Sequence, residues 1–204
     1  IFLSADSSQA EARVTSLLAN DEKMLAMYDT HDIHALTASW FFGGTEEDYS
    51  KKVLGYECPT RFIGKTIRHA GERGAKKARA AIEVNTNARK YKVDIKISEQ
   101  QAEAALNIFH RMCPNIQSVY FNGIIECLNR NYRVLTAPLP YGIDAPCGGK
   151  RTFFERWGDE LFRQAFSYMP QRAVSDNTKA AMLRVKQIMP DIRIILESHD
   201  SALF

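Results

Sequence analysis

Apolar positions recur along this chain with two different periods, and polar or chain-breaking residues separate one stretch from the next. At both ends the pattern is strand-like. Ile1-Phe2-Leu3 leads to Asp6, and Ile192 to Leu196, extended through Glu197-Ser198-His199, leads to Asp200. Between these ends the spacing becomes helical. Ala12, Val14, Leu17 and Leu18 give a helix over 8–18, Asn20-Asp21 punctuates it, and Glu22 to Tyr28 starts another. Asp32 is placed to cap a helix through Ala35, Leu36, Trp40 and Phe41, which Gly43-Gly44 ends. Residues 45–58 read as an irregular loop.

Pro59-Thr60 opens a helix over about 60–74. Gly64 and Gly71 weaken its intrinsic propensity by roughly 1 kcal/mol each. Glycines there are expected where a ligand or a neighbouring backbone comes close. Ser98-Glu99-Gln100-Gln101 has the capping-box pattern and leads into an amphipathic helix, which Pro114 breaks before a second helix runs to about Asn131. Two short strands are predicted over 132–139 and 150–154, joined by a Pro- and Gly-rich loop. Helices over 158–168 and 176–189 follow. The class is therefore α+β, with strands toward the chain ends, helices between them, and no internal repeat.

Composition narrows the picture modestly. The chain has 204 residues, 45% hydrophobic and 25% charged, as in ordinary globular proteins. It holds no apolar run long enough for a membrane span, and no basic region precedes its first apolar run, so a secretory signal is not expected. Cys58, Cys113, Cys127 and Cys147 are scattered without C-x-x-C spacing; they read as reduced, partly buried thiols of a cytoplasmic protein rather than a zinc site. The net charge of +3 hides an uneven distribution. Residues 61–92 hold ten basic and two acidic residues, a local +8 that leaves −5 for the remainder. Such a cluster is either a solvated face or a surface turned toward a polyanion.

The chemistry lies in how these parts combine. Arg61, Lys65, His69 and Arg73 recur every four residues, so one helix face collects them. Two aspartates at strand tips together with a cationic stripe are the parts that phosphoryl or nucleotidyl transfer needs.

Within these segments the residues match a known pattern. Asp6-Ser7-Ser8-Gln9-Ala10-Glu11-Ala12-Arg13 resembles motif A of the family A DNA polymerases, D-Y-S-Q-x-E-x-R. Arg61, Lys65 and Gly74 match motif B, and Ser198-His199-Asp200-Ser201 is similar to motif C, V-H-D-E. Arg163 through Gln171 resembles the stretch R-x-x-x-N-x-x-x-Q that the family presents to primer–template. All four stand in the family's order and cover the chain from end to end.

That resemblance implies a right-hand polymerase fold. The palm, an antiparallel sheet, would comprise residues 1–30 and 132–204, and a helical fingers insertion would span 31–131. The implied activity is addition of deoxynucleotides from their triphosphates to the 3′ end of a primer on a DNA template. Asp6 and Asp200 would hold two Mg2+ ions, or Mn2+ in their place, with the Ser7 carbonyl. Gln9, Glu11, His34, Arg61, Lys65 and His69 would meet the nucleotide, with Glu11 as the gate against a 2′ hydroxyl. Arg73, Arg163, Gln171 and His199 would meet DNA.

Several positions depart from the pattern. His69 stands where the family stacks Phe or Tyr on the incoming base, Arg73 replaces a tyrosine beside the template base, Ser7 replaces another tyrosine, Ser167 an asparagine and Ser201 a glutamate. These changes point to a divergent viral or phage branch. No thumb, proofreading exonuclease motif or strand after Asp200 is read from the sequence, so the chain is expected to be a fragment completed by further polymerase domains. Rival readings are a catalytically degenerate module that grips nucleic acid and a two-metal nuclease. The nuclease leaves Glu11 and the Arg61–Lys65 pair unexplained.

Overall fold

Residues 4–6, 9–56, 58–138, 148–198 and 201–203 are described by the computed structural model, with backbone alone for 4–6, 197 and 198. In chain order the first elements are β1 (Ser4–Asp6), α1 (Ala10–Leu18), α2 (Glu22–Thr30), α3 (Ile33–Phe42), α4 (Lys51–Leu54), α5 (Pro59–Glu72), α6 (Lys77–Lys90) and α7 (Glu99–Met112). A π-helical segment (Ile116–Phe121) runs into α8 (Asn122–Arg130), followed by β2 (Val134–Thr136), β3 (Lys150–Thr152), α9 (Asp159–Ile188), β4 (Leu196–Ser198) and β5 (Ser201–Leu203). Helices with a small antiparallel sheet component make the α+β class. Among the described residues no helix is long and apolar enough to cross a membrane. The chain divides into two units, one formed by Ile1–Thr15 with Gly123–Phe204 and the other by Ser16–Asn122.

In the continuous unit, local chemistry sets the helix boundaries. Asp21 Oδ1 accepts the Met24 N–H at 3.0 Å, and Asp32 Oδ1 accepts those of His34 and Ala35 at 3.2 Å each. The capping box forms in full: Ser98 Oγ accepts the Gln101 N–H at 3.2 Å and Gln101 Oε1 accepts the Ser98 N–H at 2.8 Å. Each such cap is worth about 1 kcal/mol. A short α4 lies inside the stretch expected to be irregular.

Around α5 pack α3, α6 and α7. Ile63, Ile67, Ala70, Ala80, Val84, Ala102 and Leu106 form the buried cluster between α5, α6 and α7. The two glycines of α5 serve this packing. A Cβ on Gly64 would lie 2.7 Å from the His34 carbonyl oxygen and 2.8 Å from the Ala38 nitrogen, and one on Gly71 would overlap the Phe109 ring. The close neighbours are thus the backbone of α3 and an aromatic ring of α7.

The split unit is organised by two sheets. One has the order β1-β5-β4, antiparallel throughout, with Ser4, Ala5 and Asp6 opposite Leu203, Ala202 and Ser201. The other pairs β2 with β3, Val134 opposite Thr152. Tyr168 on α9 donates to the Gly149 carbonyl at 2.7 Å, and its ring meets Phe153 edge-on, which fastens α9 to the β2–β3 hairpin.

Three expectations are corrected here. A strand does follow Asp200: β5 is the central strand of its sheet, only three residues long and so too short for a period to register in sequence. Of the strand read over 192–200, residues 192–195 fall outside β4, although the Ile195 N–H reaches back to the Leu203 carbonyl; His199 and Asp200 lie outside the described residues. The two helices expected over 158–168 and 176–189 are one, with Pro170 inside. Proline removes one backbone bond and costs about 3 kcal/mol in a helix interior. Here the helix continues because Leu161, Ala165, Phe166, Ala173, Val174 and Met182 are buried on both sides of the proline.

Candidate active site

Antiparallel pairing of β1 with β5 positions one set of sequence-predicted residues. Asp6, the last residue of β1, lies opposite Ser201, the residue after Asp200 in sequence. Ser7, His199 and Asp200 lie outside the described residues. Beyond Asp6 the chain turns at Gln9, whose φ of 56° is a left-handed value uncommon for a side-chain-bearing residue. Gln9 Oε1 is buried with no hydrogen-bond partner. Glu11 follows in the first turn of α1, and Arg13 lies on the same helix. The donor set of two carboxylates and a backbone carbonyl consists of hard oxygens, which suits Mg2+ or Mn2+. An orphaned buried oxygen two residues past Ser7 agrees with a polar, ligand-bearing corner. Among the described residues no group of three or more His, Cys, Asp or Glu side chains is gathered to hold a metal ion.

A second set of sequence-predicted residues lies on α5, in the continuous unit. Cys58 starts this helix with its Sγ accepting the Arg61 N–H at 3.4 Å, and Pro59 occupies the first turn. Asp32 performs two tasks: its Oδ1 caps α3, and its Oδ2 accepts the Arg61 Nε–H at 2.9 Å. Arg61 is thereby held with its guanidinium fork oriented, largely buried at 13% side-chain exposure. One turn on, Lys65 is exposed, and the next, His69, is half-buried. Arg73 falls at the C-cap of α5 rather than within it, so the stripe expected to carry four residues has three on the helix proper.

His34, on α3, is 5% exposed and its ring centre is 5.7 Å from that of His69. Burial, with repulsion from His69, Arg61, Arg68 and Lys65, pushes its pKa down to about 2, so the imidazole is neutral.

Counting charges misplaced one member of the basic segment. Arg68 is fully buried, and so is Glu72, at 4% exposure. Arg68 Nε lies 2.9 Å from Glu72 Oε1, its Nη2 donates to the Tyr28 hydroxyl at 2.7 Å, and the guanidinium packs over the Tyr28 and Phe109 rings. The pair sits on the same face as Gly64, Ile67 and Gly71. Burial alone would raise the Glu72 carboxyl, but Arg68 and His69 more than offset that and hold it below the ordinary carboxylate value. Burial pushes Tyr28 up to about 12 despite the same guanidinium. The i,i+4 spacing of Arg68 and Glu72 was visible in sequence, but nothing there marked the face as an interior one. Nor did the sequence reveal that Asp32 reaches Arg61.

On α9, Arg163, Ser167 and Gln171 stand four residues apart. Arg163 pairs with Glu160 at 2.7 Å, and Ser167 Oγ donates to the Arg163 carbonyl, so two members of the series bond within their own helix. His31 pairs with Glu46 on the surface. Among the cysteines, Cys58 and Cys113 are buried, while Cys127 is exposed, contrary to the partial burial expected of all four; Cys147 lies outside the described residues.

The family model described as DNA polymerase family A matches residues 1–204. Thermostable DNA polymerase I of Thermus aquaticus is 23% identical over 204 residues, and that of Thermus thermophilus 24%; in each case the match covers 98% of this chain and 22% of the relative. The chain thus spans about a fifth of the length of these curated relatives. Among solved structures, the POL domain of Pol1 from M. smegmatis, in complex with DNA primer-template and dNTP, is similar with a TM-score of 0.70 and 21% identity, covering 100% of this chain and 33% of that one. This last likeness is one of fold.

Proposed function

We propose that this chain, which belongs to DNA polymerase family A, forms the palm and fingers of a template-directed DNA polymerase that extends a primer 3′ end with deoxynucleotides. The unit split between the two chain ends would be the palm and the continuous unit the fingers. The observation that carries this reading is the register of β1 on β5, which sets Asp6 opposite Ser201, next in sequence to Asp200. Asp6 and the residue next to Asp200, nearly two hundred positions apart in sequence, are thereby paired on neighbouring strands.

Asp6, Asp200 and the Ser7 carbonyl would hold two Mg2+ ions, which when bound lower the pKa of the primer hydroxyl and neutralise the leaving pyrophosphate. The remaining work falls to side chains. Arg61, with its fork oriented by Asp32, and the mobile Lys65 would bind the triphosphate oxygens. His34 would approach as a neutral imidazole; an arriving phosphate would offset the cationic repulsion that helps keep it so. Gln9 and Glu11 would border the sugar, Glu11 excluding a 2′ hydroxyl. Arg73, Arg163, Gln171 and His199 would contact the primer–template.

Substituting Asp6→Asn or Asp200→Asn in the full-length protein tests the assignment. Either should abolish primer extension while leaving primer–template affinity within about twofold, since each removes a charge only from the reacting centre. Normal extension by either variant would refute the chemistry. A wild-type protein that binds primer–template without extending it would favour the binding-only module instead.

A further inference from the structure

The buried pair beside His69 has a consequence for the nucleotide site. His69 Nδ1 lies 3.5 Å from Glu72 Oε2, three residues along the same helix. Glu72 is itself immobile: it is buried, and its other oxygen meets Arg68 Nε at 2.9 Å. Arg68 in turn is fixed by the Tyr28 hydroxyl, and that hydroxyl by Ser16 Oγ at 3.0 Å. The chain of contacts runs from the interior of the continuous unit to a ring that is 29% exposed and reaches it at one nitrogen only. His34, the other titratable group against this ring, is neutral and 5.7 Å away centre to centre, so it offers no competing charge.

A carboxylate accepts hydrogen bonds and donates none when ionised, so Glu72 selects the form of His69 that carries a proton on Nδ1. The opposite nitrogen, Nε2, is then the unprotonated one and accepts hydrogen bonds. We propose that Glu72 is a positioning residue that locks the His69 imidazole in one rotation and tautomer and presents its Nε2 edge to the incoming deoxynucleoside triphosphate. Recognition at this position is then a hydrogen bond that Nε2 accepts from an N–H or O–H of the nucleotide's base or sugar, in place of a stacked aromatic ring. The inference rests on the assignment of His69 to the nucleotide site.

The direct substitution Glu72→Gln leaves Arg68 buried without a counter-charge and is apt to unfold the protein. Replacing both partners together, Arg68→Met with Glu72→Leu, keeps the volume and removes both charges, a change that such pairs often tolerate. The experiment compares this double variant with the full-length wild type, in the His69 background and in a His69→Phe background. With His69 present, loss of the pair should raise the KM for dNTP about fivefold, the worth of one hydrogen bond, with kcat within about twofold. In the His69→Phe background the same loss should leave KM within about twofold, because a phenyl ring has no nitrogen for Glu72 to hold. A merely structural pair would shift Tm and KM alike in both backgrounds, and that outcome overturns the proposal. His69→Ala provides the separate check: an unchanged KM there removes His69 from the nucleotide site and overturns the proposal through its premise.

Discussion

Gly64→Ala tests how α5 is seated against α3. Gly64 lies between Arg61 and Lys65 on α5, and an added methyl would stand 2.7 Å from the His34 carbonyl oxygen and 2.8 Å from the Ala38 nitrogen. Both are backbone atoms of α3, so no side chain can swing aside; the helices must part. In isolation the substitution should help, since alanine exceeds glycine in helix propensity by about 1 kcal/mol. Overpacking of this kind typically costs about 1–3 kcal/mol, and contact with rigid backbone places it at the upper end. The expected net loss is about 2 kcal/mol, or a fall in Tm of roughly 8 °C for a unit of about 100 residues. Separation of α3 from α5 also displaces His34 and the Asp32–Arg61 contact, so the KM for dNTP should rise along with the loss of stability. The control is Gly123→Ala on α8, where nothing lies within 4 Å of the new methyl and a gain of up to about 1 kcal/mol is expected. Thermal and urea unfolding of both variants decide the matter. A Gly64→Ala protein as stable as wild type would show that the two helices are not in the contact described.

Other consequences are as direct. Lys65→Ala should raise the KM for dNTP about tenfold or more, the usual worth of a hydrogen bond to a charged group, with primer–template affinity unchanged; steady-state kinetics with a DNA-binding assay check it. Acid should destabilise the continuous unit in two windows. The unfolded chain protonates His34 at its ordinary 6.5 whereas the folded chain resists to about 2, so stability falls with pH below about 6.5, by at most about 1.4 kcal/mol per pH unit. Glu72, depressed in the fold, adds its own loss as pH drops below its ordinary 4.5. Urea midpoints measured between pH 7 and 5 should show the first slope, and His34→Gln should flatten it if the variant folds. Among the thiols, Cys127 should alkylate in the native protein, with Cys58 and Cys113 roughly tenfold slower or more; Cys113 is disfavoured further because burial pushes its pKa up to about 12. Peptide mass spectrometry after brief iodoacetamide treatment reads the order.

What could be read from the residues depended on how local the determining physics was. The caps at Asp32 and Ser98 and the start at Pro59 were legible because each involves groups three residues apart or fewer. Arg68 was counted among the cations of a surface, since a charge total carries no information about which face is covered; only the packing of Phe109 and Tyr28 around it reveals an interior residue. Pro170 signals a break in any local reading, and the helix passes through it because tertiary burial on both sides outweighs one missing bond. β5 is three residues long and exists through its partners, β1 and β4, which come from opposite ends of the chain. The motif pattern pointed to Arg61, whereas its carboxylate partner Asp32, on another helix, required coordinates.

The sheet order β1-β5-β4 also has a bearing on biosynthesis. Its central strand is made about two hundred residues after the edge strand β1, so that sheet closes only after translation has passed residue 203. Residues 16–122, being contiguous, can collapse while later segments are still emerging. Closing so long a loop also slows the final step, because distant segments must meet before any pairing rewards them. Nascent β1 therefore lacks its β5 partner until all the intervening chain is made, and through that interval its groups on that side are open to pairing with a wrong neighbour.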